Sequence, residues 1–146
     1  MQNATVPSSA ASLGLLVLRV VVGAVFIAHG AQKIFQDTLP ATAEAFAGMG
    51  VPFATAVGPA IALLEFVGGM LLVLGLMTRP IALLLAATMV VALVLVHLPA
   101  GFFATDGGYE YVLVLAAGGL ALAFTGAGRV SADHAVLRGR VPRWLA

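Results

Sequence analysis

Apolar residues do not alternate with polar ones along this chain; they run on in four long blocks. The first extends from about Leu13 to Phe35 and is broken by Arg19 and His29. The second, about Ala56 to Met77, surrounds Glu65, and the third, Ile81 to Leu98, carries no charge before His97. The fourth, about Tyr109 to Ala127, carries none after Glu110. Runs of about 20 apolar residues match the hydrocarbon thickness of a bilayer. A spanning backbone must satisfy its own hydrogen bonds, and without period-two alternation these blocks predict helices, not barrel strands. The expected fold is all-α: an integral membrane four-helix bundle with short loops.

The connections differ in character. Thr78-Arg79-Pro80 predicts a tight hairpin, because proline suits the first turn of a helix. Pro99 to Gly108 is a glycine-containing loop. Gln36 to Thr55 is longer, and Pro40 to Met49 within it predicts a short interfacial helix stopped by Gly50 and Pro52. Met1 to Ser12 has no positive residue, and the apolar run to Ala28 is long for a signal peptide, so the first helix is expected to be retained. Residues 1–12 then form an N-terminal cytoplasmic segment, 13–133 the four-span domain, and 134–146 a basic cytoplasmic tail.

Composition removes the soluble alternative. Of the residues 62% are hydrophobic and 9% charged, against roughly 25% charged in soluble domains. Such a chain has too little polar surface to cover itself in water. Cysteine is absent, which excludes disulfides, thiolate nucleophiles and cysteine-ligated metals. A net charge of +1 offers nucleic acid no footing. The basic residues do orient the chain: Arg79, Arg129, Arg138, Arg140 and Arg143 fall on one side of four spans and Lys33 on the other, placing both termini in the cytoplasm. The outer side carries Asp37, Glu44, Asp106 and Glu110.

Topology turns positions into depths. Arg19 should lie about 9 Å inside the cytoplasmic edge and Glu65 about 13 Å inside the outer one, at 1.5 Å rise per residue. Arg19, Gly23, Phe26, Gly30 and Lys33 recur at three- and four-residue steps and form one stripe, which should face the bundle because charge at depth is costly. Arg19 and Glu65 are expected to form an ion pair across helices one and two. His29, Lys33, His97, Glu110 and Tyr111 gather at the outer end with Glu65 beneath them, and Glu110 at a helix start could also pair with Lys33. This polar cluster suits a small polar or quinone-like headgroup or a short proton path. No H-x₃-H or E-x-x-H spacing supports a metal. The alternative is bland: the same charges fix helix packing and anchor the ends.

Leu18-Arg19, Gly23 and His29-Gly30-x-Gln32-Lys33, followed in order by Glu65-x-x-Gly68-Gly69, Leu74-Gly75-x-x-Thr78-Arg79, His97, Glu110-Tyr111 and Gly126-Ala127-Gly128-Arg129-x-Ser131-x-Asp133, resemble the DoxX family over residues 13–133. Ala132-Asp133-His134 departs from the commoner Ser-Leu-Asp ending of that family. The resemblance implies a multi-pass protein of the bacterial inner membrane. Relatives in that family are linked to thiosulfate:quinone oxidoreductase and to membrane redox complexes that protect against oxidative stress. The implied partners are the bilayer, membrane redox proteins and, as an open alternative, a second copy of the chain. With no cysteine, haem-ligand or flavin motif, electron transfer would need a partner or a bound quinone. The competing expectation is a non-enzymatic scaffold or assembly factor.

Overall fold

Every apolar block folds as a helix in the computed structural model, which describes residues 9–136. Helix α1 (Ser9–Ala31) runs into a π turn (Gln32–Gln36), and α2 (Leu39–Gly48) and α3 (Ala54–Leu74) follow. Helix α4 (Thr78–Ala92) ends in a second π turn (Leu93–His97) and a 3-10 turn (Leu98–Ala100); α5 (Glu110–Thr125) and α6 (Ala132–Val136) are the last helices among the described residues. No strand occurs among the described residues. Helix α1 includes Ser9 to Ser12, which the sequence pattern assigns to the N-terminal segment. Residues 1–8 and 137–146, which hold most of the predicted basic tail with Arg138, Arg140 and Arg143, lie outside the described residues.

Three stretches are long and apolar enough to cross a bilayer: 28 residues from Ser9, 21 from Ala54 and 23 from Thr78. The fourth helix has 16 residues, about 24 Å at the usual rise, short of the roughly 30 Å core. It stops because Gly126, at φ 81°, turns the chain out of the helix. Helix α1 packs along α3, α4 along α5, and α3 meets α4 at the hairpin, with α2 resting on α3 at the opposite end. Val22, Phe26, Leu72, Leu85, Met89, Leu115 and Leu122 fill the space between them.

The predicted stripe on α1 does face inward: Arg19, Gly23, Phe26 and Gly30 are buried. At Gly23 the backbones of α1 and α3 touch, and a Cβ there would come within 2.8 Å of Gly69 O. A Cβ on Gly69 would in turn come within 2.7 Å of Gly23 O. Small residues permit this approach, and no hydrophobic force would restore it once lost, since lipid is as apolar as the interface. Gly69→Val should therefore force the helices apart and cost about 1–3 kcal/mol as overpacking. Thermal unfolding in detergent checks this, and an unchanged midpoint would mean the contact carries little stability.

At the hairpin end a polar knot closes the bundle. Buried Arg19 donates through Nη1 to Ala127 O (2.9 Å) and through Nη2 to Val130 O (2.7 Å). Asp133 accepts from the amides of Met77 (2.9 Å) and Thr78 (3.2 Å), and its own amide donates to Gly75 O (2.9 Å). Met77 has no capping side chain of its own, so a carboxylate from the far end of the sequence satisfies the α4 N-terminus. The Asp133 charge also acts on the Arg19 guanidinium. Gly75, at φ 69°, leaves room for that guanidinium where any Cβ would collide with it.

Candidate functional site

Away from the hairpin, α3 and α4 diverge around a cavity of about 380 Å³. Phe26 lines it from α1, Phe46 from α2, Ile61 from α3, Met89 and Leu95 from α4 and its extension, and Leu115 from α5. The walls are apolar; the polar lining consists of His29, Lys33, Glu65, Thr88, His97 and Tyr111. Five of the six residues predicted as a polar cluster thus share one cavity. The sixth, Glu110, does not line it. Its Oε1 accepts from Ala104 N–H (2.7 Å), tying the 99–108 loop to the start of α5. A pairing of Glu110 with Lys33 does not form, because each has another partner.

The partner of Lys33 is Glu65, with Nζ 2.7 Å from Oε2. The carboxylate side chain is 5% exposed and the lysine 21%. The predicted Arg19–Glu65 pair is therefore wrong, and the reason is directional. Side chains on a helix lean toward its N-terminus. On antiparallel helices Arg19 leans toward the hairpin, while Glu65 leans toward the cavity end. Glu65 lies 10 residues from Gly75, about 15 Å along α3, and Gly75 is where the Arg19 guanidinium rests. Lys33, near the end of the first span, leans back down and meets Glu65. No described residue donates to the other carboxylate oxygen, Oε1.

Both π turns sit at this end, and each holds a site residue: Lys33 in Gln32–Gln36 and His97 in Leu93–His97. The first is closed by Asp37 N–H donating to Gln32 O (2.9 Å). Its Lys33 carbonyl lies 3.1 Å from Thr42 Oγ1 of α2. Such turns re-aim side chains and recur at functional sites. His97 Nδ1 lies 2.7 Å from Gly107 O. A carbonyl only accepts, so Nδ1 carries a proton, and in the neutral form of the ring Nε2 is then the acceptor. The His29 and Tyr111 rings stand 6.2 Å apart on α1 and α5. No three His, Asp or Glu side chains converge on a metal-sized site among the described residues.

Sequence reasoning missed Phe46, Met49 and Val51, which wall the cavity from α2 and the turn after it. They read as ordinary interfacial residues, and only α2 folding back onto α3 brings them to the site. It also missed Asp133 as a helix cap; the available signal was an isolated acid in a basic tail.

The DoxX family model matches residues 14–98. Among curated proteins, the chain is 35% identical to the "Putative oxidoreductase CatD" of Bacillus subtilis, over 88% of this chain and 90% of that one. It is 33% identical to an uncharacterized protein of Haemophilus influenzae, over 82% of this chain and 88% of that one. It is 34% identical to an uncharacterized membrane protein of Mycobacterium tuberculosis, over 82% and 79%. No solved structure matches.

Proposed function

The chain belongs to the DoxX family, and from that premise we propose that it is a redox-associated membrane protein whose cavity receives a quinone-like headgroup. The observation that carries this reading is the Lys33–Glu65 pair, a nearly buried carboxylate and its ammonium partner facing an apolar cavity of ligand size. Ion pairs at membrane depth are expensive, and face cavities or proton paths when they are retained. A bound quinone supplies two-electron chemistry coupled to two protons. The chain supplies the proton side: Lys33 and Glu65 at the wall, His97 with Nε2 as acceptor, and the His29–Tyr111 pair at the rim. Without cysteine, electrons come from a partner redox protein, in keeping with the oxidoreductase name carried by the Bacillus relative. Oxidative-stress defence or sulfur oxidation is the physiological setting that fits such a subunit.

Equilibrium binding of a quinone to the purified protein in lipid nanodiscs tests the reading. Glu65→Gln should weaken binding about tenfold, the effect of one charge-assisted contact. No saturable binding to the native chain would end the proposal. The remaining reading, a scaffold whose charges only set packing, draws on the Arg19–Asp133 knot, which has that structural character. Infrared difference spectra separate the two: a Glu65 carboxylate unchanged from about pH 5 to 9, with and without quinone, is what permanent structural ionisation requires.

In this reading the hairpin end is cytoplasmic and the cavity end faces outward, following Arg79 and Arg129 at the former. Single cysteines can be introduced without background. An impermeant maleimide on intact cells should label position 104 and spare position 79; the reverse pattern would invert the orientation.

A further inference from the structure

We propose that the cavity is loaded sideways from the bilayer, through a mouth between α3 and α4 beneath α2, by a molecule whose polar ring carries a long apolar chain. This rests on the quinone reading and adds the route and the tail. Near the hairpin α3 and α4 are in contact: a Cβ on Gly68 would sit 3.3 Å from Ile81 and 3.4 Å from Leu85. The same α4 stripe continues at helical spacing through Thr88, Ala92 and Leu95, but these residues line the cavity. The two helices have parted there, forming a V.

The edges of the V are open. Met49, Val91 and Leu95 line the cavity and are also 42%, 50% and 46% exposed. A residue that does both marks a mouth. Val91 and Leu95 lie 13 and 17 residues beyond Thr78, about 20 and 26 Å along a helix crossing a core of roughly 30 Å. The mouth therefore opens into acyl chains, not water, and its three edge residues offer no hydrogen-bonding side chain. The opposite rim is polar: His29 and Tyr111 also line the cavity while remaining exposed. The Lys33–Glu65 pair lines the same cavity. A cavity with charge inside, polar rings at one rim and a greasy mouth at bilayer depth suits an amphiphile lying across it. The ring sits at the ion pair and the chain leaves past Leu95.

Two photoreactive quinones, with an azide on the ring or on the first segment of a long isoprenoid chain, test this on the full-length protein in nanodiscs. Peptide mapping should place the ring label at His29, Lys33 or Tyr111 and the chain label at Met49, Val91 or Leu95, both suppressed by excess long-chain quinone. Leu95→Trp should weaken long-chain binding about tenfold and leave a short-chain analogue unchanged. A chain label at the His29–Tyr111 rim would overturn the lateral mouth while the quinone reading stood. So would a phospholipid held in the mouth that quinone does not displace. Absence of a suppressible ring label would overturn both.

Discussion

Arg19→Ala is expected to destabilise the protein by about 3–5 kcal/mol, the usual cost of breaking a buried charged network. Arg19 is 2% exposed, and its guanidinium holds two backbone carbonyls of the α5–α6 connection against the α3–α4 hairpin. Truncation orphans both carbonyls, empties the space beside Gly75 and leaves Asp133 without its nearby cation. Arg19→Lys should recover only part of the loss, because an ammonium cannot present two donors in a fixed fork. The informative measurement is a pair of double-mutant cycles by denaturing-detergent titration. Arg19 and Asp133 should couple by about 0.5–3 kcal/mol, whereas Arg19 and Glu65 should be additive within about 0.5 kcal/mol. Stronger coupling to Glu65 than to Asp133 would mean that the guanidinium does not rest at Gly75.

The second large effect is expected at the cavity. Lys33→Met leaves the Glu65 carboxylate without its ammonium, and Glu65→Leu strands the ammonium. Each should cost about 3 kcal/mol, the low end for a buried pair because Lys33 is 21% exposed. The double variant Lys33→Met/Glu65→Leu removes both charges and should regain most of that stability, since an apolar replacement of a buried pair is often neutral. Stability and function should then separate: the double variant folds, yet loses quinone binding. A double variant that folds and binds quinone as the native chain does would reduce the pair to a packing device.

The all-helical class and the four apolar helices were legible in the sequence because they follow from one-dimensional physics, whereas the fourth helix came out shorter than a full span. A lipid environment forces a backbone to bond within its own helix, so four long apolar blocks without period-two alternation are read as helices. The inward stripe from Arg19 to Gly30 was legible for a similar reason, since periodicity alone places those residues on one face. The proline-led start of α4 and the short helix α2 followed from proline and glycine punctuation, although the chain reverses at Gly75 to Met77, just before the predicted Thr78-Arg79-Pro80 hairpin.

What the linear pattern left open was which charge meets which. Depth counted along helix axes put Arg19 and Glu65 within reach of each other. Tertiary structure paired Glu65 with Lys33, because side chains on antiparallel helices lean toward opposite ends. It also sent Arg19 to the carbonyls of Ala127 and Val130, 108 and 111 residues away. The cavity itself was illegible, since it exists only where α3 and α4 part and α2 folds over the gap. Composition and period specify how each helix meets lipid, a local property of every residue. Partner choice and empty space depend on where several helices stand relative to one another, and only the folded chain decides that.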